Sequence, residues 1–206
     1  MYSNRGFSLI EAAIALVVLG LLIGGLMTPI AAQIDRQNEK FTDQQLEMIQ
    51  EALLGYAIIN RRFPCPAADV NGIALVQGHL DCTKEGYLPW VDLGVGREDA
   101  WGRAFRYRAE DEYVDTMTQF SYNSGLAIQA KLGVDYNLTV TTGGDSKVVA
   151  VIFSYGKDGN GELENANGTK TFTYDSTDAG VAFDDRLTWI SAHTLSHRLI
   201  EANIWF

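Results

Sequence analysis

The chain has 206 residues, 47% of them hydrophobic and 20% charged, which suffices for one membrane span and one compact domain of ordinary size. Its 26 acidic residues outnumber 16 basic ones for a formal net charge of -10, and this argues against nucleic acid as a partner, because such binders present a basic patch. No charge run, low-complexity tract or repeat of solenoid period is present.

The N-terminus reads Arg5-Gly6-Phe7-Ser8-Leu9-Ile10-Glu11, and residues 12–32 then carry no charge. A helix needs roughly 20 apolar residues to cross a bilayer, so this run is long enough. A secretory signal peptide explains it poorly, since those have a shorter apolar core closed by a small-residue cleavage site. A plain single-span anchor explains the length but not the carboxylate of Glu11 at its edge, where a charge marks a functional position. The stretch 6–11 resembles the N-terminal signature of type IV pilins and of the pseudopilins of type II secretion.

That resemblance implies cleavage between Gly6 and Phe7 by a prepilin peptidase and methylation of the new amine on Phe7. It implies a leader at 1–6, a transmembrane and filament-core helix half at 7–32, and a pilin-like globular domain at 33–206. It further implies insertion in a bacterial inner membrane by a single pass, an outward-facing C-terminal domain in the periplasm, and assembly with identical or related subunits by an inner-membrane platform. The end point is a cell-surface filament or a periplasmic pseudopilus. Arg5 agrees with a cytoplasmic N-terminus by the positive-inside tendency. In a helix, Glu11 stands one turn from Phe7 on the same face, so the freed ammonium of one subunit can pair with the carboxylate of a neighbour. Snorkelling of Glu11 into lipid headgroups is the local alternative.

Within the run, Gly20 and Gly24 have the Gly-x-x-x-Gly spacing that lets helices approach closely, or they are tolerated glycines of an ordinary membrane helix. Pro29 removes a backbone hydrogen bond and resembles a proline that pilins carry in this region. The helical pattern continues past Gln33, with Ile34, Phe41, Leu46, Ile49, Leu53, Ala57 and Ile58 forming an apolar stripe. One helix is therefore expected over 8–60, roughly 80 Å long at 1.5 Å per residue, ended by Pro64 and Pro66.

The segment 61–108 reads as loop-rich and holds the two cysteines, Cys65 and Cys82. In an oxidising compartment they are expected to pair; two free thiols or half of a metal site are the alternatives, and no second Cys or His pair has zinc spacing. Asp99-Ala100-Trp101-Gly102 is similar to an Asp-x-Trp-Gly motif of major pseudopilins. Trp90 and Trp101 are expected to pack in the core. Strands are expected at 105–107, 118–122, 127–131, 137–141, 147–155 and 169–174, with the apolar run 148–153 central. The fold class is thus α+β: a long N-terminal helix packed on an antiparallel sheet.

In 154–164, Asp158, Asn160 and Glu162 alternate hard oxygen side chains around glycines, a spacing that suits Ca²⁺. The stretch resembles the Ser-x-Gly-x-Asp-Gly loop of major pseudopilins, which implies calcium held with a later acidic turn, here Asp184 and Asp185. A polar hairpin turn has the same composition. A short amphipathic helix is expected at 191–203, with Leu195, Leu199 and Ile200 inward. His193, His197 and Glu201 share its other face, as a metal site or, more commonly, a solvated surface. Both cysteines lie early, unlike those that bracket the C-terminal loop of type IV pilins. No nucleophile elbow, phosphate-binding glycine loop or His-Glu-x-x-His occurs, so no enzymatic activity is expected.

Overall fold

The computed structural model describes residues 8–115, 127–132, 136–137, 148–162, 165, 168–176 and 183–204, with side chains at 23–29, 127–132, 136–137 and 175–176 left out. The expected strand at 118–122, the end of that at 137–141, and Gly6, Phe7, Trp205 and Phe206 lie outside the described residues. The chain divides into two compact units, Met1–Asn38 and Glu39–Phe206.

Helix α1 spans Leu9–Asn60 and runs through Pro29. It ends where Arg61 takes a φ of 53°, in the left-handed region that stops helices, just before Pro64. Among the described residues no helix is long and apolar enough to cross a membrane. In the first unit the described apolar side chains are exposed: Leu9 92%, Leu16 71% and Leu21 73%.

The second unit is an α+β domain. Its main sheet is antiparallel in the order β1-β2-β5-β7, from β1 (Gly86–Tyr87), β2 (Arg106–Ala109), β5 (Val148–Ser154) and β7 (Arg186–Ser191). Every residue of β5 is buried, because both of its faces are covered. On one face Val149 and Ile152 join Leu46, Ile49, Leu53, Leu54 and Ala57 of α1 and Leu195 and Leu199 of α4 (Ala192–Glu201). On the other, Val148, Val151 and Phe153 meet Phe172 of β6 (Thr171–Ser176), with the Phe153 and Phe172 rings 5.3 Å apart.

The single antiparallel sheet expected from the strand pattern divides in two. β3 (Ala127–Leu132), β4 (Tyr136–Asn137) and β6 form a second, three-stranded sheet in which β3 and β6 run parallel. The apolar stripe of α1 also starts later than its spacing suggests: Phe41 is 47% and Ile34 51% exposed, and the first buried apolar residue is Leu46. Ile200 is half exposed rather than inward, while Ser191 caps α4 by accepting from Thr194 N at 3.0 Å.

Between α1 and β2, Cys65 and Cys82 form a disulfide. It closes a loop that also holds a 3-10 turn at Leu80–Thr83 and leads to β1 and the short helix α2 (Trp90–Leu93). Trp90 packs against the core with its indole N–H donating to Val70 O at 3.1 Å. One further short helix, α3 (Asp111–Val114), follows β2.

Candidate functional site

Two places carry chemistry. The first is the start of α1. Ser8 N donates to Glu11 Oε2 at 2.9 Å, and Glu11 N donates to Ser8 Oγ at 3.5 Å. This reciprocal pair is a capping box: it satisfies two of the backbone donors that a helix start leaves open. The sequence reading missed it, although the signal, Ser-x-x-Glu, was present. Glu11 is thus held at the helix tip and stays exposed there. Gly20 has open space around it, with nothing within 4 Å of an added Cβ. Gly24 and Pro29 lie in the helix among the residues whose side chains are not described.

The second place is the turn after β5. Asp99 organises its base: its Oδ1 accepts from Trp101 N and Arg103 N at 2.8 and 2.9 Å, and its Oδ2 accepts from Ser154 Oγ at 2.5 Å. Ser154 Oγ in turn accepts from Gly156 N at 3.0 Å, and Arg103 Nη1 donates to Gly156 O at 2.5 Å. The Asp99–Gly102 stretch and the 154–159 stretch, which sequence could only note separately, are therefore one hydrogen-bonded assembly. Thr42 of α1 joins it by accepting from Ala100 N at 3.2 Å.

Across this turn lies the acidic pair that precedes β7. Asp158 N donates to Asp184 Oδ2, and Glu162 N to Asp185 Oδ2, both at 2.9 Å. Asn165 Nδ2 also reaches Asp185 Oδ2 at 2.8 Å. Asn160 N donates to Asp158 Oδ1 at 2.7 Å, which closes an Asx turn and holds Asp158 below its ordinary value.

Carboxylate oxygens of Asp158, Glu162 and Asp184 all lie within 4.8 Å of one another. Asp185 is not in that group, and its Oδ2 accepts from Glu162 N and Asn165 Nδ2. Glu162 Oε2, Asp184 Oδ1 and Asp185 Oδ1 are buried and meet no donor. Desolvation, then the charge of Asp185, pushes Glu162 up to about 8, and desolvation raises Asp185 to about 6. Buried carboxylate oxygens without donors, crowded within reach of one centre, fit a hard divalent cation with oxygen ligands such as Ca²⁺. Asn160 contributes its backbone N–H to the turn and its side chain is exposed.

The histidine face of α4 is solvated: His197 Nδ1 stands 3.5 Å from Glu201 Oε2, both well exposed. Among the described residues, Asp158, Glu162 and Asp184 form the group able to hold a metal.

Residues 1–27 match the family described as the prokaryotic N-terminal methylation motif, the prepilin signature of type IV pilins and pseudopilins. No curated protein and no solved structure matches the chain.

Proposed function

We propose that the chain is a structural subunit of a type IV pilus-like filament, inserted in the inner membrane as a prepilin, cleaved after Gly6 and assembled through its N-terminal helix. The methylation motif over 1–27 carries this reading. Residues 1–6 are the leader, 7–32 the membrane and filament-core half of the helix, and 33–206 the outward domain. The charge-free run 12–32 anchors the subunit before assembly and packs against other copies afterwards. Glu11, fixed at the helix tip, is the carboxylate available to the methylated amine of Phe7 on a neighbouring subunit. The prepilin peptidase, the assembly platform and the lipid bilayer are its other partners.

A second reading, a pseudopilin of a type II secretion system, is favoured by the junction at Asp99. That residue ties together the two stretches that resemble major pseudopilins, and the Asp158, Glu162 and Asp184 carboxylates beside them are proposed to hold Ca²⁺.

Mass spectrometry of the mature N-terminus tests the shared premise: an N-methylated Phe7 is expected, and an intact Met1 or cleavage after Ala32 overturns it. Shearing cells separates the readings. Surface-filament protein appears in the sheared fraction, a pseudopilin appears there poorly yet is needed for secretion, and a non-polymerising anchored domain does neither. Glu11→Ala should reduce assembled protein at least tenfold, about 1.4 kcal/mol per subunit contact.

A further inference from the structure

We infer, on the reading that Asp158, Glu162 and Asp184 hold Ca²⁺, that Thr42 and Asp43 of α1 are positioning residues for that site and keep its two halves at the separation a cation requires. The halves come from distant parts of the chain: Asp158 and Glu162 follow β5, and Asp184 precedes β7. Their direct links are Asp158 N to Asp184 Oδ2 and Glu162 N to Asp185 Oδ2. Those bonds draw on acidic oxygens of the site itself, and Glu162 Oε2 and Asp184 Oδ1 remain buried without donors. Crowded like charges push apart, so the separation has to be held by groups that are not themselves ligands.

Two neighbouring residues of α1 supply that hold. Thr42 is fully buried, and its Oγ1 accepts from Ala100 N at 3.2 Å. Ala100 follows Asp99, whose Oδ2 accepts from Ser154 Oγ, and that hydroxyl accepts from Gly156 N. This chain ends on the first half of the site. Asp43 takes the second half: its carboxylate accepts from Arg186 Nε at 2.8 Å and Nη2 at 2.5 Å, and Arg186 directly follows Asp184 and Asp185. Successive helix residues point about 100° apart, which lets one turn of α1 reach both halves. Neither contact uses an oxygen of Asp158, Glu162 or Asp184. By linkage, a cation that draws the halves together also fixes α1 at 42–43.

Ca²⁺ is titrated calorimetrically into the purified full chain in detergent. Thr42→Val removes the hydroxyl at nearly constant shape, and Arg186→Lys removes the guanidinium fork at constant charge. Each should weaken Ca²⁺ binding about tenfold, while Thr42→Ser keeps the parent affinity. Arg198→Lys loosens the pair between α4 and Glu51 of α1, away from the site, and should leave Ca²⁺ affinity unchanged. In hydrogen exchange on the unaltered chain, Ca²⁺ should slow the amides of 40–46 about tenfold relative to chelator, and those of 53–57 less. Absence of Ca²⁺ binding by the unaltered chain overturns the cation reading and the positioning role together. Parent affinity in Thr42→Val or Arg186→Lys, or an equal loss in Thr42→Ser or Arg198→Lys, leaves the cation reading standing and overturns the positioning role. Where a variant is too unstable to titrate, the exchange contrast decides, and equal slowing of 40–46 and 53–57 overturns the role.

Discussion

The two ends of α1 belong to one helix and face opposite problems. Near its start, Leu9, Leu16 and Leu21 are 92%, 71% and 73% exposed; near its end, Ile49 and Leu53 are fully buried against the sheet. The later segment is amphipathic and its apolar residues are used within the chain. The earlier segment carries no charge over residues 12–32, and its described side chains are exposed. Apolar surface on that scale marks contact with lipid or with other protein, so on the proposed reading the first half would gain its stabilisation outside the subunit, whereas the second half packs within it.

The sharpest way to break this comparison is to truncate one leucine on each side. Leu53→Ala should cost about 3–4 kcal/mol in a thermal or denaturant melt of the domain, as for other fully buried leucines. Leu16→Ala should move the same melt by less than about 0.5 kcal/mol. Comparable losses from both would mean that the first half is also supported by the subunit's own core.

A somewhat smaller effect is expected at the disulfide. Cys65 and Cys82 are 17 residues apart, and opening a loop of that size costs about 3 kcal/mol in the chain-entropy model. The Cys65→Ser/Cys82→Ser variant should therefore melt earlier than the parent and match it once the parent is reduced. Next comes Ser154→Ala, which removes the hydroxyl between Asp99 and Gly156 N and should cost about 1–2 kcal/mol. A silent variant would show that the turn after β5 is held without this hydroxyl, by Arg103 on Gly156 O and Asp184 on Asp158 N.

The smallest shift concerns pH. Glu162 is raised from an ordinary 4.5 to about 8, so the folded state binds its proton more tightly than the unfolded state does. That contribution is complete below about pH 4.5 and is lost as pH rises through 8. With chelator present, the melting temperature should fall by a few degrees across this window. Added Ca²⁺ should flatten the fall, because a bound cation favours the ionised carboxylates. A pH profile identical with and without Ca²⁺ would count against the cation site.

Much of this was legible in the residues. The breakless helical spacing fixed α1 to within a residue of its observed start, and two prolines fixed its end. The apolar run 148–153 identified the central strand because a strand covered on both faces has no polar side to show. β7 went unread, since Asp184 and Asp185 marked a turn and the alternation of Leu187 with Trp189 after them was too short to stand out. The division into two sheets depends on pairing between segments distant in sequence, such as Ile128 with Phe172, and local pattern carries no trace of it. Buried charge was equally silent: Arg108, 6% exposed, spends its guanidinium on the carbonyls of Thr83, Gly168 and Thr169. At the candidate site, sequence supplied the acidic residues but not the role of Asp99, which joins its own 101–103 stretch to Ser154, more than fifty residues away.

The turn after β5 also sets how this protein can drift. Gly156 (φ 54°) and Gly159 (φ 79°) both hold left-handed backbone, yet they are hemmed in differently. An added Cβ at Gly156 would meet the main-chain oxygen of Asp184 at 2.2 Å, a wall that cannot step aside. At Gly159 it would meet Arg103 Nε at 2.3 Å, the end of a long side chain. In a lineage, the first position is frozen outright, whereas the second thaws, toward asparagine above all, once Arg103 is exchanged for something shorter.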